Sequence, residues 1–168
     1  GRLRGVNTYR TLSAVLDRAA ANPRRPDAVL ATGDLAQDET PGAYQNFVSL
    51  VSRFNVPVWC LPGNHDVPDL MAEELAKTHL HYRGTLEKAP WCVILLSSFL
   101  AGDHGGRVDA SELKWLDESL AAHRHHHVLL AIHHPPLPLG SRWLDELGLR
   151  NSAELLQIVD RAPQVRAV

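Results

Sequence analysis

Cysteine is scarce in this 168-residue chain: there are two, Cys60 and Cys92. Each sits inside an apolar run, Val58-Trp59-Cys60-Leu61 and Trp91-Cys92-Val93-Ile94. That placement reads as two small buried thiols and fits a reducing cytosol. No apolar stretch approaches the roughly 20 residues that span a bilayer, and Gly1-Arg2-Leu3-Arg4-Gly5 lacks the apolar core of a signal peptide. A cytoplasmic protein without a membrane partner is therefore expected. Charge does not accumulate either: the formal net charge is -2 and there is no basic stripe, which argues against nucleic acid as a partner. The chain has no Gly-x-Ser-x-Gly elbow and no Gly-Lys-Ser/Thr phosphate loop, and neither cysteine has a plausible base beside it. A nucleophile-based hydrolase and a P-loop enzyme are set aside on those grounds. With no internal repeat or low-complexity linker, residues 1–168 read as a single domain.

Histidine, by contrast, is abundant, at ten residues, and raises the expectation of metal chemistry. Leu12, Val15, Leu16 and Ala19 recur at helical spacing behind Asn7 or Thr8 as a cap, predicting a helix to about Ala21. Residues 28–32 read as a short buried strand ending in Gly33-Asp34, and Thr40-Pro41 opens a second helix. Residues 56–61 form the next strand, ending in Pro62-Gly63-Asn64-His65-Asp66. Residues 68–79 read as helix, 91–97 as strand, and 109–123 as a helix with a capping-box-like start. Residues 128–132 form a strand ending in His133-His134-Pro135-Pro136; a loop, a helix over 152–160 and a strand over 164–168 follow. This alternation argues a layered α/β domain with largely parallel strands.

Three strands thus end in polar clusters, where open α/β sheets gather ligands. Asp, Asn and His are oxygen and nitrogen donors suited to Mn, Fe or Zn. Each cluster also has a plainer reading. Gly-Asp after a strand is common turn chemistry, Asn64 and Asp66 can be turn formers, and His133 can be a satisfied core histidine. The functional reading gains because all three fall at the same kind of place.

Gly33-Asp34, Gly63-Asn64-His65-Asp66 and His133-His134-Pro135 resemble three of the five signature blocks of calcineurin-like metallophosphoesterases, in the family's order. Four further stretches resemble the bacterial 3',5'-cyclic-AMP phosphodiesterase branch: Gly5-Val6-Asn7-Thr8-Tyr9, the run from Ala31 to Asp38, Trp143-Leu144-Asp145 and Leu149-Arg150-Asn151. The resemblance implies an α/β/β/α sandwich and two divalent ions about 3.5–4 Å apart that clamp a phosphodiester and activate water as hydroxide. It implies that Asp34 bridges both ions and that Asn64 and His133 ligate the second. His65 then acts on the phosphate or leaving oxygen, Asp66 orients His65, and Asn64, His65 and His134 meet substrate. The family's opening Asp-x-His and closing Gly-His-x-His blocks are not in this sequence. The chain is accordingly expected to be cut short at both ends, to lack the first strand and the C-terminal strands, to keep most of one metal site only, and to be nearly inactive and poorly stable alone.

The substrate implied is a cyclic nucleotide, with a homodimer as one oligomeric option. Another phosphoesterase of the family, or a non-catalytic remnant of one, stays open. Among the other histidines, His123, His125, His126 and His127 read as a solvated helix end, although His123 and His127 have the i, i+4 spacing of a metal pair. His79 and His81 carry no strand signal. His104, in a Gly-rich loop, is a candidate for the substrate mouth. Tyr9, Trp143 and Arg150 are candidates for nucleotide or core contacts.

Overall fold

The computed structural model describes residues 2–168. Two short strands, β1 (Arg2–Leu3) and β2 (Val6–Asn7), pair antiparallel at the start. Asn7 then caps α1 (Thr8–Ala20) by accepting the Arg10 N–H at 3.0 Å. Next come β3 (Val29–Ala31), α2 (Pro41–Val51, with proline in its first turn), β4 (Val58–Cys60), α3 (Pro68–Ala76) and β5 (His81–Tyr82). These strands form a parallel sheet in the order β3-β4-β5.

The second half adds β6 (Gly84–Lys88), β7 (Trp91–Leu95), α4 (Ala110–Ala122), β8 (His127–Ala131), α5 (Arg142–Glu146), α6 (Ser152–Asp160) and β9 (Val165–Ala167). Its sheet runs β6-β7-β8-β9, with β6 antiparallel to β7 and the remaining pairs parallel.

Side-chain alternation assigns the layers, because successive strand residues point to opposite faces. Cys92 and Ile94 of β7, with Val128 and Leu130 of β8, pack with Leu116 and Leu120 of α4 and Leu155 of α6. The intervening Val93, Leu95, Leu129 and Ala131 face the other way and meet Leu61 and Trp59 from the first sheet. On that sheet's far side Val58 and Cys60 pack with Tyr44 and Phe47 of α2 and Met71 and Leu75 of α3. Helices therefore cover the outer faces of two sheets packed face to face, the expected α/β/β/α order. Arg83, between β5 and β6, pairs with the buried Glu112 of α4, whose second oxygen accepts the Ser97 N–H at 2.8 Å. Glu112 caps no N–H of its own helix start; Asp109 does that by accepting the Glu112 N–H.

Five elements depart from expectation, the short β1 and β2 among them. β5 and β6 form where no strand was read. β5 is two residues long, and β6 is an edge strand of mixed polarity, Gly84-Thr85-Leu86-Glu87-Lys88. The single-turn α5 lies in the expected loop. Among the described residues β3 is a sheet edge and α1 has no fully buried side chain. No helix is long and apolar enough to cross a membrane.

Candidate metal centre and cleft

The strand ends set the geometry. Gly33, at φ +109°, and Asp34, at φ +56°, both take the left-handed region as the chain leaves β3. A Cβ on Gly33 would collide with the His133 ring, so a residue with no side chain is required there on two counts. Asp34 tolerates the conformation better than most residues, yet a left-handed non-glycine still costs about 1 kcal/mol or more, so its surroundings must hold it.

Asp66 supplies that hold. Its carboxylate is buried, 3% exposed, and accepts four hydrogen bonds. The donors are the Leu35 N–H at 3.2 Å, the Ala36 N–H at 3.0 Å, the Gly63 N–H at 2.9 Å and the Tyr44 hydroxyl at 3.2 Å. The turn after β3 is thereby locked to the turn after β4. Burial and the nearby carboxylate raise the Tyr44 phenol well above its usual range, so it remains a donor. The expected pairing of Asp66 with the His65 ring is corrected: the Asp66 oxygens are engaged elsewhere, and His65 Nδ1 lies 3.2 Å from Gln37 Nε2. An amide N–H donating to Nδ1 leaves the proton of a neutral imidazole on Nε2.

Asp34, Asn64 and His133 converge. His133 Nε2 is 3.3 Å from Asn64 Oδ1 and 3.5 Å from Asp34 Oδ1. Its Nδ1–H donates to the Thr32 carbonyl at 2.8 Å, which aims Nε2 at the two oxygens. This is the usual way a ligating histidine is oriented. A neutral ring then presents a lone pair to two other acceptors, which a proton on Nε2 or a shared cation resolves. Ligands bonded to one ion at about 2.1 Å lie roughly 3.0–3.4 Å apart, so the spacing and the donor set fit a divalent ion. Among the described residues no three His, Cys, Asp or Glu side chains gather closely enough to hold a metal. The third member here is an amide, and carboxylate, amide and imidazole come from three different strand ends. Asp34 Oδ1 also accepts the His65 N–H at 3.1 Å.

A cleft of about 390 Å³ opens beside Asn64, walled by Glu39, Val67, Phe99, Leu100 and His104. The His104 ring centroid is 6.3 Å from that of His65. His134 is not in this wall, correcting its place among the substrate-contacting residues: it is 2% exposed, and its Nδ1 lies 2.7 Å from the Ser98 hydroxyl. Burial, with His133 close by, pushes its pKa down to about 4, so it is neutral and structural.

The remaining histidines also settle into place. α4 ends before His123 and His127 lies on β8, so the pair shares no helix. His123 bonds Glu87 at 3.1 Å, and His81 stacks on Trp59 at 4.3 Å between centroids. Gln37 and the Thr32 carbonyl had no role assigned from sequence. Their one signal was position, within the run from Ala31 to Asp38.

Residues 5–162 match the family model described as calcineurin-like phosphoesterase. Over 165 residues the chain is 37% identical to the 3',5'-cyclic adenosine monophosphate phosphodiesterase CpdA of Escherichia coli K12, covering 98% of this chain and 60% of that protein. It is 36% identical to a 3',5'-cyclic-nucleotide phosphodiesterase of Nostoc, covering 99% of this chain and 63% of that one. The chain thus spans about three fifths of the length of these curated relatives. Among solved structures, a dimetal phosphatase from Danio rerio superposes with a TM-score of 0.70 at 17% identity, over 94% of this chain and 69% of that one. TT1561 of Thermus thermophilus does so with 0.68 at 16% identity, over 94% and 75%. These two likenesses show a shared fold.

Proposed function

Because the chain belongs to the calcineurin-like phosphoesterase family, we propose that the full-length protein hydrolyses 3',5'-cyclic nucleotides, cyclic AMP first among them. The observation that carries this reading is the meeting of Asp34, Asn64 and His133 beside a cleft large enough for a nucleotide. The activities for which the CpdA and Nostoc relatives are named support the choice of substrate.

Asp34, Asn64 and His133 would hold a divalent ion, Mn, Fe or Zn, with Asp34 shared toward a second. Such ions, when bound, supply the charge neutralisation and water activation of two-metal phosphoester cleavage. The chain's own residues do the rest. Asn64 and His65 border the phosphate position, and the Gln37 contact presets His65 with its proton on Nε2. In the reaction water adds to phosphorus, the bond from phosphorus to the ribose 3' oxygen breaks, and that oxygen takes a proton, for which His65 is the donor. The product is the 5'-monophosphate. Asp66 acts as a positioning residue, fixing both turns.

The test is turnover of cyclic AMP, p-nitrophenyl phosphate and its bis-ester by the full-length protein with Mn²⁺, beside His65→Ala and His133→Ala. Cyclic AMP should be cleaved, and each variant should lose about 100-fold or more. Cleavage of the nitrophenyl esters alone would favour a general phosphoesterase, and turnover of none a non-catalytic remnant. A Mn²⁺ titration of the 168-residue chain should show one weak site; two tight sites would contradict the assignment.

A further inference from the structure

Leu149-Arg150-Asn151 has no part in the chemistry above, yet each of its residues is tied to the segment 103–108, whose first residues wall the cleft. The Leu149 N–H donates to the Pro135 carbonyl at 3.0 Å, two residues beyond His133, and Leu149 forms a parallel bridge with Gly106. The Arg150 N–H donates to the Gly106 carbonyl at 2.7 Å. The Arg150 guanidinium grips Asp103 with Nη2 at 2.7 Å and Nε at 3.3 Å, while Nη1 reaches the Glu146 carbonyl at 3.2 Å. Buried Asn151 pairs with Val108 in both directions: its Nδ2 donates to the carbonyl at 2.8 Å, and its Oδ1 accepts the N–H at 3.1 Å. Asp103 turns back to accept the Gly105 N–H at 2.8 Å. Gly105 leaves room for the guanidinium, since a Cβ there would lie 2.5 Å from Arg150 Cζ.

We propose that this tripeptide is a positioning staple, with Arg150 at its centre, that holds the loop 100–106 and His104 against the metal-ligand end of β8. It thereby fixes the wall of the cleft that meets the nucleoside part of a substrate. The assignment rests on the phosphodiesterase reading. The Asp103–Arg150 pair is about two-fifths exposed, with side-chain exposures of 36% and 42%, and exposed pairs of this kind add little stability. A two-point guanidinium–carboxylate contact, however, sets direction as well as distance. The Arg150 contacts also hold the Asp103 carboxyl down at about 2, so the grip persists across the working pH range.

The experiment compares wild type, Arg150→Ala and Arg150→Lys in the full-length protein with Mn²⁺. Cyclic AMP serves as the substrate that carries a nucleoside and bis(p-nitrophenyl) phosphate as the diester that carries none, with amide exchange followed at Gly105 and Gly106. R150A should raise KM for cyclic AMP about tenfold with a smaller change in kcat, and leave kcat/KM for the bis-ester within about twofold. R150K should fall between, because a lysine keeps the charge and loses the fork. Parallel loss on both substrates with an altered melting temperature would make the tripeptide mere scaffold and overturn the proposal, as would unchanged kinetics on both. A wild type that cleaves the bis-ester and not cyclic AMP would refute the cyclic-nucleotide reading separately. The exchange data then decide: about tenfold faster exchange at Gly105 in R150A supports the staple, and unchanged exchange overturns it.

Discussion

Replacing Asp66 by alanine removes, in one step, the acceptor for the Leu35, Ala36 and Gly63 N–H groups and for the Tyr44 hydroxyl. A buried donor left without a partner costs about 1–3 kcal/mol. Asp66 borders the cleft, so water can reach some of the vacated positions and the lower end applies. The expected loss is about 4 kcal/mol, or about 8–16 °C in Tm for a domain of this size. Asp66→Asn should cost about half as much, because one oxygen stays an acceptor while the new NH₂ group faces two N–H donors. His65→Ala, which gives up a single contact to Gln37, should change stability by less than about 1 kcal/mol while cutting turnover about 100-fold or more. Denaturant unfolding of the full-length protein, read beside turnover and Mn²⁺ titration at a temperature where all variants are folded, separates the two residues. An Asp66→Ala protein with wild-type Tm and lost turnover would refute the anchoring role and return Asp66 to the chemistry.

Glu87 and His123 form a pH-dependent tie between β6 and the end of α4. The hydrogen bond from His123 lowers the Glu87 pKa, and the same contact raises that of His123. The histidine's share is therefore fully present below its ordinary value and lost as pH rises through the raised one. The glutamate's share is present above its ordinary value and lost as pH falls through the lowered one. Between about pH 6 and about pH 9, Glu87→Gln should flatten the decline of the denaturant midpoint seen in wild type, and identical slopes would remove the tie. Burial pushes the Cys60 and Cys92 thiols up to about 12 and about 11, so native protein should resist a thiol reagent at about pH 8 and react fully in urea. Rapid labelling of the native state would show that one is open to solvent. Gly33→Ala places a Cβ against His133 at a left-handed backbone position, and should cost at least about 2 kcal/mol and weaken Mn²⁺ binding about tenfold or more. Unchanged calorimetric affinity would show that the turn relaxes.

Much of this architecture is written in short-range pattern. Runs such as Trp91-Cys92-Val93-Ile94-Leu95 are apolar on both faces because each face meets a different layer, and α6 falls on the residues read as helix. The three strand-end clusters were equally legible, since Gly, Asn, Asp and His after an apolar run have few reasons to recur in that position. What stayed hidden depends on partners remote in sequence. β5 exists because His81 and Tyr82 pair with Trp59 and Cys60, and nothing in two residues announces that. Asp66 was legible as important but not in its role: an acceptor for donors 30 and 31 residues away cannot be told from an orienting carboxylate until the turn is folded. His134 misled for a related reason: its ring packs edge-on against that of His133, yet it is buried on Ser98 while His133 reaches the rim, a difference that only the fold decides.

The face-to-face packing of the two sheets also explains why the candidate site joins them. Asp34 and Asn64 leave β3 and β4 of the first sheet, whereas His133 leaves β8 of the second. The His133 ring bonds to Thr32 across the gap, directly above the layer where Leu61 and Trp59 meet Val93, Leu95 and Leu129. Three donors from two sheets coincide only when that layer is packed, so an ion with affinity for the trio has little affinity for a chain whose sheets are apart. Binding and sheet docking are then linked, and an ion at 100 times its Kd would add about 2.7 kcal/mol to the folded state. The turns locked by Asp66 matter for the same reason: they hold two of the three donors in place beforehand, so that docking the second sheet has only the His133 ring left to deliver.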